Sequence, residues 1–414
     1  MDTTQRMDWP RVGALIAGQG VSLVGDSMLL IAMAWTAVRL GGSGAVTFLI
    51  LCATIPKALM LVFGGAVADL LGPRFVLLRT ASGRVILLAL GAVGVYLAED
   101  VATLAVIVVV EGVLLGLGAP SFGSVLPGLA PGPNLVRANS LYATVTRLAP
   151  IAGAPLGAWL IASGALWPAL AVVAATCAIS LTALVFVTRD LPRPATPPSL
   201  RQVTISKALL NRSADGLRLL RANPRLRWLF VSSFTIDLAF NWPIAAALPL
   251  LADERSWGVQ AVATVIAAFS AGALTATAIG AAVAHRIPLV LRLVASAALI
   301  AVGILLMAVM PSVLSLAAVG YVVGLASGLN GPAIVTLYQD AAPADRMGAA
   351  MATLAIAGIG TAPFSIALFG ALAALLGIQA TWIVCGLVAM VAPVAAVAAL
   401  RTPVAVPERE AVSV

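Results

Sequence analysis

The sequence predicts an all-α integral membrane protein: twelve transmembrane helices in two pseudo-symmetric six-helix bundles, with both termini cytoplasmic. Three observations lead there. The 414 residues are 61% hydrophobic and only 10% charged, with a mean hydropathy of +1.08. A soluble domain carries about 25% charged residues, so this chain has too few to cover a globular surface. Apolar runs long enough to cross a bilayer recur from end to end, and the basic residues gather in alternate connections between them.

A helix of about 20 apolar residues spans the hydrocarbon core and satisfies its own backbone groups there. Such runs fall near 12–37, 45–68, 76–97, 101–119, 141–163 and 166–187, then near 228–251, 258–283, 288–309, 312–336, 347–371 and 377–400. The first is read as a retained span, because no A-x-A site follows a short apolar core. With both ends inside, the inner segments hold Arg6, Arg11, Arg74, Arg79, Arg84, Arg137, Arg147, Arg286, Arg292, Arg346, Arg401 and Arg409. The central loop adds Arg189 through Arg227. Only Arg39 and Arg255 fall outside, and Lys57 lies within a span. This asymmetry is the positive-inside pattern.

The long polar segment 188–227 divides the chain into an N-terminal bundle (1–187) and a C-terminal bundle with a short tail (228–414). Its start is Pro-rich and extended. Its end, Ala214–Arg227, reads as a basic amphipathic helix on the inner leaflet. Pro120 and Pro131 recur at the same spacing as Pro332 and Pro343, each pair at the inner end of the fourth helix of its half, which points to an internal repeat.

Several function classes are excluded on composition. The net charge of +8 sits in membrane loops, so nucleic acid is not the expected partner. Cys52, Cys177 and Cys385 lie in separate apolar runs and His285 stands alone, giving no metal cluster or disulfide framework. Lys57 and Lys207 are the only lysines, and neither belongs to a G-x-x-x-x-G-K-S/T phosphate loop. No cofactor and no enzymatic triad is expected. Any work must come from an ion gradient or from the cargo's own gradient.

Four ionisable groups lie deep in apolar runs: Asp26, Lys57, Glu111 and Asp237. A charge at the bilayer centre costs about 2.5–3.5 kcal/mol even on a lenient scale, so each needs a partner or water. At about 1.5 Å per residue all four sit near mid-depth. A Lys57–Asp26 ion pair is one expectation, with Glu111 and Asp237 left as proton carriers. Gln19, Asn241, Tyr321 and Asn330 are neutral polar candidates for the same cavity.

Four stretches carry a family resemblance: GQGVSLVGDSMLLIAMAW, GGAVADLLGPR, LVRANSLYATVTRLAPIAGAPLGAWL and ADGLRLLRANPRLRWL. The sequence resembles the major facilitator superfamily, and within it the drug-efflux branch that contains macrolide-efflux proteins and the enterobactin exporter. The resemblance implies that helices one, four, seven and ten line a central cavity. It implies a gating loop at Gly65, Asp69, Gly72 and Arg74, though Leu70 and Pro73 stand where basic residues are expected. The antiporter pattern of helix five survives as Gly153, Pro155 and Gly157, which also reads as close helix packing. The implied activity is export of amphipathic small molecules, such as an antibiotic or siderophore, by proton antiport, with a nutrient importer as the alternative. The implied setting is a bacterial plasma membrane, with the protein a monomer whose partners are its small-molecule substrate, protons and lipid.

Overall fold

A computed structural model describes residues 9–130, 133–162, 164–189, 218–283, 288–343 and 346–402. Helices make up every regular element among them. The first, α1 (Trp9–Leu71), covers two expected spans and breaks at Gly41 and Gly42, where Gly42 takes φ 56°. A straight helix would set Asp26 and Lys57 about 46 Å apart, yet both line one cavity. The Gly-Gly-Ser-Gly run therefore folds α1 into a hairpin, since glycine reaches positive φ without steric cost.

The remaining elements start where local chemistry permits. Gly72 at φ 83° turns the chain into α2 (Pro73–Leu97), which has Pro73 in its first turn. Asp100 caps α3 (Val101–Leu129), its carboxylate accepting from the Thr103 amide at 2.7 Å. Then come α4 (Pro133–Ile161) and α5 (Trp167–Thr188). Asn223 caps α6 (Pro224–Trp242), which continues through a π turn at Pro243–Ala247 into α7 (Leu248–Glu254). Next are α8 (Val259–Val283), α9 (Leu289–Val309) and α10 (Val313–Ala341), the last opened by a Ser312–Ser315 capping box. α11 (Met347–Ala355) passes through a second π turn, Ile356–Gly360, into α12 (Thr361–Leu376), and α13 (Ile378–Ala389) and α14 (Val391–Arg401) follow.

Among the described residues, ten stretches are long and apolar enough to cross a membrane, the first of them Trp9–Leu61. The outer faces suit lipid. On α2, Ile86, Leu90, Val93 and Leu97 form an exposed apolar stripe that water would penalise.

Some helices differ from the sequence expectation. α3 runs on past 119 to Leu129, and α4 begins at Pro133 rather than near 141. Polar residues at those ends lowered the local hydropathy without interrupting the backbone. The expected surface helix Ala214–Arg227 breaks at Asn223. Leu219 and Leu220 before the break are buried with Leu226 and Leu293 in the protein, so this segment packs on the bundle. Most of the central segment, 190–217, lies outside the described residues, as do Pro131, Ala284, His285 and Arg286 and the termini with Arg6 and Arg409.

Several helix pairs touch backbone to backbone, one of them in corresponding places of the two halves. A Cβ on Gly116 of α3 would stand 2.5 Å from the Lys57 carbonyl oxygen, and one on Gly112 would meet the Ala53 carbonyl. In the second half, a Cβ on Gly328 of α10 would lie 2.7 Å from the Ala273 carbonyl oxygen, and one on Gly324 would meet that of Phe269. The spacing Gly112-Gly116-Pro120 thus recurs as Gly324-Gly328-Pro332, and each set packs on a partner helix four residues per contact.

The core has an asymmetric shape. Around the Gly41 end, one apolar cluster joins Ala37, Val46 and Leu49 of α1 to Trp242, Leu251, Val262 and Phe369 of the second half. At the opposite end the halves keep separate cores. Val12, Leu15, Leu77, Leu126 and Leu184 form one, and Leu226, Leu293, Leu337 and Leu354 belong to the other. The halves are joined at the Gly41 end and part at the Gly72 end.

Candidate functional site

Between these helices lies a cavity of about 720 Å³, within the range of small-molecule sites. Its walls come from regular helical stripes. α1 contributes Gln19, Ser22, Asp26, Leu30 and Met33, then after the hairpin Val46, Leu49, Ala53 and Lys57. α2 contributes Leu77, Thr80 and Arg84, and α3 contributes Val108, Glu111, Leu115 and Phe122. Steps of three and four residues keep each stripe on one helix face. The shared core caps the cavity at Ala37 and Val46, and its other reach is marked by Leu77, Phe122 and Tyr142.

At its centre is a charge network. Arg84 Nε donates to Glu111 Oε1 at 2.8 Å, and its Nη2 donates to the same oxygen at 2.6 Å and to Asp26 Oδ1. Nη1 donates to Ser22 Oγ at 3.1 Å. Three helices are tied together by one guanidinium, whose fork geometry suits two carboxylates at once. The acids differ in access: the Asp26 side chain is 27% exposed and that of Glu111 only 7%. Glu111 Oε2 is buried with no hydrogen-bond partner, so this oxygen is open to a proton or a water.

This corrects two expectations. Arg84, counted above as an inner-end residue, lies eleven residues into α2, about 17 Å from its start, and is buried. Lys57 does not pair with Asp26. It lines the same cavity, exposed, near enough to Glu111 for the two charges to act on each other, but the carboxylates are held by Arg84. Arg84 reaches them because α2 packs beside α3 and α5, while Lys57 points from the far arm of the hairpin.

The other candidates are dispersed. Asp237 is not among the cavity residues. Its carboxylate accepts from Ser233 Oγ at 3.3 Å and faces Gly358 of the second π turn. Asn241 Nδ2 donates to the Asp237 backbone carbonyl at 2.5 Å. Tyr321 donates to Thr275 Oγ1 at 3.0 Å, and Asn330 donates to Ser296 Oγ at 3.0 Å. The last two bridge packed helices. Of the neutral candidates, Gln19 reaches the cavity.

Gly153 and Gly157 press α4 onto α1: a Cβ on Gly157 would lie 2.7 Å from Met28 Cα, and one on Gly153 would lie 2.7 Å from Ser27 Cβ. Pro155 is exposed on the other side. In the expected gating loop, Gly72 makes the turn and Arg74 Nη1 donates to the Arg189 carbonyl at 3.2 Å. Gly65 and Asp69 belong to the last turns of α1, and their side chains lie outside the described residues. The Gly41 end carries its own network, in which Arg39 donates to Glu99 at 3.1 Å and to the Gly164 carbonyl at 2.8 Å.

Comparison with known proteins places this arrangement. A search of curated protein sequences returned no match. Solved transporters share the fold. A POT family transporter in complex with 5-aminolevulinic acid has a TM-score of 0.74 at 13% identity, covering 92% of this chain and 94% of that one. A mutant of the nucleoside transporter NupG has a TM-score of 0.71 at 14% identity, covering 94% and 100%. A D-xylose-proton symporter has a TM-score of 0.69 at 16% identity, covering 96% and 99%. The family model described as Major Facilitator Superfamily matches residues 15–358, which is most of the chain. With its apolar helices and the cavity they enclose, this chain belongs to the Major Facilitator Superfamily and is a multi-pass membrane transporter, not an enzyme.

Proposed function

We propose that this chain is a proton-coupled secondary transporter that exports amphipathic small molecules by alternating access. The carrying observation is the Arg84–Asp26–Glu111 network in a largely apolar cavity. Apolar walls hold a lipophilic body, and a buried carboxylate with a free oxygen takes up and releases a proton. Breaking or remaking its contact with Arg84 gives two arrangements that a proton can bias. Exchange of cargo for protons is the direction that the resemblance to the efflux branch supports.

In this reading the chain crosses the membrane twelve times with both termini inside. The hairpin in Trp9–Leu61 makes two crossings of one stretch, and Pro133–Ile161 adds another to the remaining nine. The membrane is a bacterial plasma membrane, and the functional unit is a monomer of two six-helix bundles, 1–187 and 228–414, joined by the basic linker 188–227. The cavity reaches toward the Gly72 end, which is then the cytoplasmic side. Asp237 and the Gly72–Arg74 turn take part as a third acid and a gate.

A second reading is import by proton symport, and Lys57 is the observation that favours it. An anionic cargo beside Lys57 and a proton on the acid network support each other by Coulomb attraction, so the two travel together. Inverted and right-side-out vesicles with an imposed pH gradient separate the readings. Export predicts dye or antibiotic uptake into inverted vesicles that collapses with an uncoupler. Uptake by right-side-out vesicles, driven by outside acid, overturns the export direction in favour of symport.

A further inference from the structure

We infer that Lys57 is the anion-recognition point of the cavity, and that the cargo is therefore an amphipathic anion with an apolar body and one carboxylate, sulfonate or phosphate. This rests on the transporter reading above but not on its direction. The stripe Val46, Leu49, Ala53, Lys57 faces the cavity, whereas Ile55, Leu59 and Phe63 on the other side of the same helix are exposed apolar residues. The Lys57 backbone is fixed, since its carbonyl oxygen lies against Gly116. Only the side chain is free to follow a ligand.

The other cavity cation is already committed. Arg84 uses Nε, Nη1 and Nη2 on Glu111, Ser22 and Asp26. The hydroxyls of Ser27, Thr54 and Thr80 donate to carbonyls of their own helices. Among the described cavity residues, Lys57 is the charged donor with no carboxylate in ion-pair reach. It lies about 22 Å along the helix from Gly42, among apolar walls where an uncompensated charge carries a cost. A cargo anion offsets that cost, while Leu30, Met33 and Leu115 accommodate the body. A cationic cargo meets repulsion at Lys57 and at Arg84, which already engages one oxygen of each acid.

The test uses the full chain in phosphatidylcholine nanodiscs, titrated with dansyl-undecanoate and with its uncharged amide and cationic amine of equal length. Protein-free discs supply the background. Binding of the anion is expected to weaken about tenfold or more in Lys57→Gln, equivalent to about 1.4 kcal/mol, and to persist in Lys57→Arg, which also shows that the position tolerates substitution. Equal binding of the anion by Lys57→Gln and wild type overturns the inference, as does an amine that binds as tightly as the anion. Discs of phosphatidylglycerol form a second arm: retained binding supports a soluble cargo, and Lys57-dependent loss assigns the site to a lipid headgroup and overturns the cargo assignment. Lys57-dependent binding without any transport counts against the transporter reading alone. Transport that ignores Lys57 counts against this inference alone.

Discussion

Replacing Arg84 with Met removes the single cation that holds two mid-membrane carboxylates. The Glu111 side chain is 7% exposed and that of Asp26 27%, so neither can turn fully to water. Removing one partner of a buried ion pair costs about 3–5 kcal/mol, because the remaining charge stays desolvated. Trp9–Thr188 spans 180 residues, and for a unit of that size each kcal/mol moves the melting midpoint by about 2–4 °C. Arg84→Met is therefore expected to lower the midpoint by roughly 6–20 °C, followed by tryptophan fluorescence in one detergent at one scan rate. Removing the acids as well, in Arg84→Met with Glu111→Gln and Asp26→Asn, is expected to restore most of the loss, since whole buried networks are often replaceable without net cost. An unchanged midpoint for the single variant, or a triple variant no more stable than it, refutes the network as drawn.

Glycine positions give a second expectation with opposite signs. Gly331→Ala in α10 meets nothing within 4 Å and should stabilise by about 0.5–1 kcal/mol through helix propensity. Gly116→Ala should instead destabilise by about 1–3 kcal/mol, because its Cβ meets the Lys57 carbonyl; thermal midpoints of the two variants read the contrast. Cysteines placed at Tyr142 and Ala37 in a background lacking Cys52, Cys177 and Cys385 should react differently with a water-soluble maleimide. Tyr142→Cys is expected to label and Ala37→Cys, under the shared core, to resist; equal labelling contradicts closure at the Gly41 end. Asp100, at a loop, has its carboxyl held below the usual carboxylate range by the Thr103 amide it caps. Its stabilising contribution is complete at neutral pH and fades as pH falls through the ordinary carboxylate range to its lowered value, so the Asp100→Ala penalty seen in thermal melts should shrink in acid.

Much of the fold was legible because lipid imposes one rule on every segment. Long apolar runs and their alternating basic loops need no tertiary information. The acids of the site were legible for the same reason: Asp26 and Glu111 are conspicuous in apolar surroundings. Arg84 was misassigned because a lone arginine eight residues into an expected span resembles one snorkelling to an inner interface. Its carboxylates come from two other helices, and spacing within one helix carries no record of which faces meet. The same limit let Lys57 be drawn as the partner of Asp26, and left Asp237 grouped with acids from which the fold separates it. An arginine in the third turn of a span whose neighbouring helices each carry one buried acid is the pattern that would have found the network.

The glycine contacts between α1 and α3, and between α8 and α10, leave no side chain between the two backbones to rearrange. Each such pair is in effect welded, so whatever reorients during a transport cycle must carry both members along as one piece. The Ala53–Gly112 and Phe269–Gly324 separations should then be invariants of the cycle, useful as internal rulers against which the motion of everything else can be measured.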